Sequence, residues 1–532
     1  MIRWAYLFEA KGIQRYLFHS GKLRDVIGGS DLIANLARGD GDDIGDVCEQ
    51  VGIAASLFSR RAGGAFCLHA ADKDELVQLR AAWRGWVMAR LPGLEFSDAL
   101  CAGESDYAAM TACFIAAGGM RCNYAAQALP LGRPGLLYAP RTGMPAIQET
   151  KYGDRVDLID MAARGRGDAL ISKHQAHPDR FTEEQVLRRF VPQDRQAGTI
   201  RFPVHFDPND QRKNANDPVF PARETGHGDD RRFAIVHADL SGLGELFRTM
   251  GDKFAGFEDF AGQNRNLAAS IETAIIAAAQ AATGAVLLPH CVNGVVPARP
   301  ILLGGDDITV LVRADLAVAY AAALLEAIEE KCKGIGTDAG LALSACAGVA
   351  IVGPKTPFVS ANALADALCG HAKKAVKALA SPTLHGRKGY ASALSFYVQQ
   401  QNAQEDLADI TASYRDADCK PLWHNPWIVG SGAVPGCGRA EELFALAAAL
   451  DQIEGGRSTV RELRQLMTQS TAHARARLKR WQQILMRRQG GRLKALEALV
   501  GQIDDADFAP AASGLFDAEV LIDLGHAHGV AA

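Results

Sequence analysis

Two stretches of the chain carry hydrophobic and polar positions in the same order. The first opens with YLFEAKGIQRYLF at 6–18, passes through GGSDLIANLA, and reaches a hairpin-like LFSRRAGGAFCLHA at 57–70. It continues into DKDELVQLRAAWRGWVMARL, where apolar residues recur at helical spacing. The second opens with AIVHADLSGLGELF at 234–247, passes through the Ala-rich NLAASIETAIIAAAQAA, and reaches ILLGGDDITVLVRA followed by DLAVAYAAALLEAIEEKC. Each predicts strand, helix, hairpin, helix.

The second stretch goes on with LALSACAGVAIVG, a strand, ANALADALCGHAKKAVKAL, a helix, and SALSFYVQ, a last strand. The order βαββαβ with an appended αβ is that of a ferredoxin-like sheet with helices packed on one face. In the first stretch a later strand is expected over LEFSDALCAG, with no clear tail after it. Between the two, HFDPNDQRKNANDPVFPARETGHGDDRR is rich in Pro, Asp, Asn and Gly and reads as loop or linker. Beyond 400, from AEELFALAAALDQ to LKALEALVGQ, apolar residues recur at three and four, so a helical region closes the chain. The expected fold class is α+β: a first domain over 1–130, a linker or insert over 131–230, a second domain of the same order over 231–402, and a helical domain over 403–532.

Composition narrows the class without naming a partner. The 532 residues are 48% hydrophobic and 22% charged, as in a globular protein of several domains. A formal charge of −4 points to no polyanion-binding surface over the whole chain, so any such surface must be local. The N-terminal MIRWAYLFEAKGIQRYLF interrupts its apolar residues with Glu, Lys and Arg, unlike a signal peptide. No eighteen apolar residues run together, and no membrane span is expected; the expected location is the cytoplasm. The eleven Cys include no Cys-x-x-Cys pair, so neither a zinc ribbon nor a disulfide framework is suggested.

The chemistry gathers at one hairpin. Gly304-Gly305-Asp306-Asp307 puts two adjacent carboxylates at a hairpin tip, and a strand ending in Asp239 is expected beside it. Three carboxylates at one sheet edge suit a hard divalent cation such as Mg²⁺ or Mn²⁺ with substrate phosphates completing its shell, and a metal pair can hold both oxygens of a phosphoryl displacement. Gly304 and Gly305 allow a tight turn and let a triphosphate approach. Gly242 opens a helix whose free N–H groups can meet phosphate oxygens. Lys373 and Lys374, on the later helix, are spaced to turn at least one ammonium toward the same edge. Alone, the tetrapeptide also reads as an ordinary turn, and the lysine pair as a solvated helix face. Together the features describe a nucleotidyltransferase or cyclase palm. A second basic set, Arg457 to Lys494 with Arg461, Arg464, Arg475, Arg477, Lys479, Arg480, Arg487, Arg488 and Arg492, suits RNA phosphates, a partner subunit, or a solvated face.

The GGDD hairpin, the HADLSGLG strand before it, SACAGVAI with ADALCGHAKKAVK after it, and GIQRYLFHSGKLRDVIGGSDLIANL near the start together resemble the large polymerase-like subunit of type III CRISPR effector complexes. The resemblance covers both similar stretches and extends to the helical C-terminal region. It implies two palms facing each other over two ATP molecules, and synthesis of cyclic oligoadenylate second messengers in antiviral defence. It further implies Asp239, Asp306 and Asp307 as metal-binding acids, CRISPR effector subunits as partners, and contact with guide or target RNA. In the first stretch Ala62-Gly63-Gly64-Ala65-Phe66 replaces the acids and Glu9 stands where Asp239 does, so that palm is expected to bind or scaffold without metals. Two departures stand out. The chain has no His-Asp dipeptide of an HD nuclease, and residues 138–166, where the family's zinc cysteines fall, contain no Cys, so no zinc is expected. Three rivals remain: a diguanylate cyclase, although Asp-Ile replaces the Glu-Phe of GGDEF; a non-catalytic nucleotide-binding scaffold; and a template-directed polymerase.

Overall fold

The structure, a computed structural model, describes residues 2–38, 42–54, 57–119, 135–152, 155–176, 182–196, 200–207, 209, 217–225, 228–255, 259–304, 307–399, 406–500 and 514–525. The first unit runs β1 (Arg3–Lys11), α1 (Ile13–Phe18), α2 (Leu23–Leu36), a short helix Asp43–Val51, β2 (Phe58–Ala62), β3 (Ala65–Ala70), α3 (Lys73–Arg90), β4 (Glu95–Gly103) and α4 (Asp106–Gly119). Its antiparallel sheet has the order β2-β3-β1-β4. Alternation along β1 divides the core: Tyr6 and Phe8 pack with Phe66, Phe96 and Trp83 of α3, while Ala5 and Leu7 pack with Cys67, Ala109 and Cys113 of α4. The Phe8 ring lies 5.4 Å from Trp83, edge to face. The tail missing from the sequence reading of this unit is therefore α4, whose Ala-rich pattern carries little periodic signal.

Residues 131–230, expected as a linker or insert, contain a hairpin (Ala146–Tyr152 with Arg155–Asp160), a helix Met161–Ala176, and α5 (Thr182–Phe190). The helix over 161–176 docks on α2 through Arg166, which is 1% exposed, donates to the Tyr16 carbonyl at 2.9 Å, and sets its guanidinium 4.9 Å from the Tyr16 ring. Gly29 in α2 makes the room, since a Cβ there would lie 2.8 Å from Arg166 Cδ. A polar, glycine-bearing helix held by one buried arginine has no apolar stripe to read.

The second unit repeats the order with β5 (Phe233–Ser241), α6 (Leu243–Phe254), α7 (Phe260–Ala282), β6 (Ala298–Gly304), β7 (Asp307–Arg313), α8 (Ala317–Lys331), β8 (Ser344–Val352), α9 (Phe358–Lys377), β9 (Ser392–Val398) and β10 (Trp427–Val429). Its sheet, β6-β7-β5-β8-β9-β10, begins with the same four-strand order as the first. The β8–β9 pair is parallel and requires a crossover, which α9 supplies across the face opposite α7 and α8. Helices thus cover both faces, not the one expected: Val236, Ala238 and Val349 meet α7 and α8, while Ile235 and Ala350 share a cluster with α9 and the first unit. With its following turns to His290, α7 has the length and hydropathy (mean 1.6) of a membrane-crossing helix, and half of it is buried in this fold.

The chain closes with α10 (Ala440–Asp451), α11 (Gly456–Gln469), α12 (Thr471–Val500, kinked at Gln489) and α13 (Leu515–Leu524), whose apolar faces extend the second unit's core. Four of the basic residues singled out from the sequence form ion pairs within the fold, and a fifth, Arg492, donates to the Gln452 carbonyl. Arg457 pairs with Asp523, Arg461 with Glu519 and Asp523, Arg464 with Glu519, and Arg477 with Glu462. Most of these acids come from α13, far along the chain. Arg475, Lys479, Arg480, Arg487 and Arg488 remain on the exposed side of α12.

Two tests follow from the packing. A Cβ on Gly348 of β8 would lie 1.9 Å from the Ala365 carbonyl and 2.4 Å from Cys369 N of α9. Gly348→Ala is expected to cost about 3 kcal/mol by urea unfolding, because backbone must move. Asp517 of α13 is buried and accepts from Trp427 Nε1 at 2.9 Å; burial pushes its carboxyl up to about 7, against the opposing bond from Trp427. The folded chain keeps a proton that the unfolded chain releases near about pH 4. Its contribution to stability is therefore full below about 4 and lost as pH rises through about 7. Thermal melts across that window should fall less steeply for Asp517→Asn than for the unsubstituted protein.

Candidate active site

Antiparallel register brings two of the predicted acids together. Asp307 opens β7 directly opposite Asp239 of β5, and Gly304 closes β6 opposite Asp307. Paired residues on such strands have Cα atoms about 4.5–5.5 Å apart, so the two carboxylates share one sheet edge. Gly305 and Asp306 lie outside the described residues. Lys373 reaches this edge from α9 and its Nζ pairs with Asp239 Oδ2, both side chains being less than one-third exposed. Burial works against its charge, but the bond to Asp239 outweighs it and holds the ammonium pKa above the ordinary lysine value. Lys374 points to solvent and does not join the group. Gly242 caps α6 in the left-handed region at φ 89°, where a side chain would be strained, and its carbonyl accepts from Leu246 N at 2.9 Å.

A second layer escaped the sequence reading. His237 lies on the same strand face as Asp239, buried, with Nδ1 3.2 Å from Gln14 Nε2 and 3.4 Å from Thr309 Oγ1. Asp366 of α9 stands 3.7 Å from its Nε2. Burial lowers the imidazole pKa, with Asp366 and Asp239 pulling the other way, so the ring is neutral at pH 7. Gln14 belongs to α1 of the first unit, and its Oε1 accepts from Asn362 Nδ2 of α9 at 2.8 Å. One amide therefore ties the first unit to the strand that carries Asp239. A histidine inside an apolar strand was a visible signal, but nothing in the sequence announces its cross-unit partner.

The matching edge of the first sheet carries different charge. Glu9 faces Ala65 across the β1–β3 register, as Asp239 faces Asp307. Glu9 is neutralised by Lys11 at 2.7 Å and Arg60 at 3.3 Å.

The two hairpins meet tip to tip. A Cβ on Gly304 would lie 3.3 Å from Gly63 Cα. Behind the tips, each edge strand has a register shift at the equivalent place, passing over Ser59 in β2 and Ile301 in β6. Each of those residues has its carbonyl bonded by a helix of the other unit: Asn264 Nδ2 of α7 donates to Ser59 at 2.9 Å, and Ser30 Oγ of α2 donates to Ile301. Arg265 adds a bond to the Phe58 carbonyl at 3.0 Å. A cavity of about 380 Å³ lies beside the tips, lined by Gly63, Gly64, Gly304, Arg38, Arg188 and Arg189, the last two from α5 of the insert. Arg189 pairs with Glu272 of α7. Among the described residues, no group of three or more His, Cys, Asp or Glu is assembled to hold a metal ion.

No protein-family model matches the chain, and no curated protein matches it in sequence. Solved structures do. The chain is similar to Csm1 of a Csm1–Csm4 cassette in complex with cA4, at TM-score 0.50 and 13% identity over 99% of this chain and 70% of that one. It is equally similar to Csm1 in T. onnurineus, at TM-score 0.50 and 14% identity over 99% and 69%. The fold is that of Csm1, the Cas10 subunit of type III CRISPR complexes.

Asn264→Ala leaves the Ser59 carbonyl buried without its donor and is expected to cost about 1–2 kcal/mol in urea unfolding.

Proposed function

We propose that the chain is a nucleotidyltransferase that joins ATP into cyclic oligoadenylate, as the Cas10-like subunit of an RNA-guided antiviral effector. The observation that carries the reading is the register pair Asp239–Asp307 at a glycine hairpin tip. It sits in a fold shared with a Csm1 whose structure holds cA4, a cyclic oligoadenylate. On this reading residues 1–130 and 231–402 are two palms, 131–230 an insert that reaches the cavity beside the tips, and 403–532 a helical domain.

The donor set suits a hard divalent cation. The carboxylate of Asp239 already accepts a cationic partner, and its register neighbour is a second carboxylate. Asp239 and Asp307, with Asp306 by its place in the sequence, would hold Mg²⁺ or Mn²⁺. A cation held there would lower the pKa of an acceptor ribose 3′-hydroxyl and would offset the charge of departing pyrophosphate. The protein's share is position and charge. Gly304 and Gly63 leave room for a phosphate to come close to backbone. Arg38, Arg188 and Arg189 present guanidinium forks that match phosphate oxygens. The ammonium of Lys373 is placed to exchange a carboxylate oxygen for a phosphate oxygen, and Gly242 starts the helix whose first N–H groups face the same end of the sheet. Neutral His237 and Gln14 hold β5 against the first unit, so the second nucleotide meets the first in a fixed frame. With Glu9 already neutralised, the first palm binds or scaffolds and does not hold metal.

The cytoplasm is the proposed location, with partner subunits and guide or target RNA as proposed contacts. The free cationic side of α12, Arg475 to Arg488, is the proposed place for RNA phosphate or an acidic partner surface.

Labelled ATP with Mg²⁺ or Mn²⁺, with and without RNA and partner subunits, should yield oligoadenylate resolved by mass. Asp239→Asn with Asp307→Asn should reduce it about 10²–10³-fold or more while the protein stays folded. Product from GTP in place of ATP would replace the reading with a diguanylate-type cyclase. ATP bound without any product would replace it with a scaffold.

A further inference from the structure

The outer side of α12 carries charge of one sign. Residues 471–496 hold eight Lys and Arg and no Asp or Glu, in a chain whose formal charge is −4. Two of the eight are engaged inside the fold: Arg477 pairs with Glu462, and Arg492 donates to the Gln452 carbonyl. Arg475, Lys479, Arg480, Arg487, Arg488 and Lys494 are exposed and have no side-chain partner among the described residues.

The helix is fixed by its other side. Ala474, Leu478, Trp481 and Leu485 are buried in the core shared with the second unit. At about 3.6 residues per turn, Arg480 and Arg487 stand roughly opposite that stripe, so the middle of the outer face is cationic. From Arg475 to Arg488 the cations cover about 20 Å of helix at about 1.5 Å per residue. Two apolar side chains lie among them, Ile484 at 40% exposed and Met486 at 63%.

Charge and carbon together select the occupant. Centres of protein interfaces are poor in charged residues, and an acidic protein patch carries basic residues of its own that this face has no acid to meet. A phosphodiester chain is anionic without interruption. Guanidinium and ammonium groups both take its oxygens, and neither needs a particular base. Ile484 and Met486 add apolar contact, a thioether being well suited to the edge of an aromatic ring. Base faces are open to such contact in a single strand and closed by stacking in a duplex. We infer, resting on the reading of α12 as a contact surface and not on the chemistry at the hairpin, that α12 binds the backbone of a single-stranded nucleic acid without regard to sequence, with bases against Ile484 and Met486.

The test is fluorescence anisotropy on the full chain in metal-free buffer, from about 50 to about 200 mM salt. The labelled probes, about 15 nucleotides long, are polyuridylate, a mixed-sequence RNA, DNA of the same sequence, and that RNA paired with its complement. Both RNA strands should bind alike, with log K falling against log salt at a slope of about −3 to −4, as about five phosphates at about −0.7 each require. Arg480→Glu with Arg487→Glu, thermal melts unchanged, should weaken binding about tenfold or more and flatten the slope by about 1. Lys479→Glu with Arg488→Glu repeats the measurement should the first pair misfold. Lys73→Glu with Arg90→Glu on α3, the same change of charge elsewhere, should leave affinity and slope as they were. Met486→Ser should weaken binding about threefold at unchanged slope. DNA bound as tightly as RNA assigns the face to either kind of strand; RNA bound alone assigns it to RNA. No binding, a slope shallower than about −1, or equal loss from the α3 pair overturns the inference. Polyglutamate that displaces the RNA at equal charge overturns it in favour of an acidic protein. Duplex bound more tightly than single strand, or Met486→Ser without effect, overturns the single-strand half. Asp239→Asn with Asp307→Asn should leave this binding intact, so failure here and failure of the proposed reaction are told apart.

Discussion

The arrangement depends on two carbonyls that their own sheets pass over. A bulged residue falls out of the strand ladder, and an edge strand with an unpaired carbonyl is costly once buried. Ser59 and Ile301 occupy that position in the two hairpins, and each is bonded by a helix of the opposite unit. Because each unit completes the other's edge, the hairpins cannot drift apart. Their tips are held where Gly304 approaches Gly63, so closely that a Cβ at Gly304 would lie 3.3 Å from Gly63 Cα. The placement of the Asp239–Asp307 edge opposite the first unit, and the bridge from Gln14 to His237, follow from that joint.

What was readable in the sequence is what local pattern encodes. Period-two runs around two-glycine turns marked both hairpins, and the paired order of elements marked the repeat. The equivalence of Glu9 with Asp239, read from similarity of the two stretches, is the equivalence found in strand register. Features set by distant partners were not readable. The side chosen by α9 depends on the parallel β8–β9 pair and on Gly348, the docking of residues 161–176 depends on Arg166 entering a gap at Gly29, and the arginines of α11 are neutralised by acids from α13. A residue such as Gln14, polar and unremarkable on a six-residue helix, acquires its meaning only when another unit arrives.

The two sheet edges show how one framework supports opposite electrostatics. At the first, one carboxylate is held by two basic side chains of its own sheet. At the second, two carboxylates stand in register, and an ammonium from the covering helix meets one of them. Like charges brought so close demand a cation, and the source of that cation decides how exchangeable it is. Lys11 and Arg60 lie on the first sheet itself. Lys373 is borne on a flexible four-carbon stem from a neighbouring layer, and it can leave without disturbing any strand.

Joining the two units in one chain has a consequence for how such a protein can change. In a symmetric dimer of identical subunits every substitution appears twice, so an edge cannot be altered on one side alone. Here the pseudo-twofold joint keeps the geometry of a dimer while the two halves answer to different codons. The first half has Ala65 in the register place where the second has Asp307, and the insert between them brings Arg188 and Arg189 to the cavity beside the tips. Tandem fusion thus converts a symmetric interface into one that can divide labour.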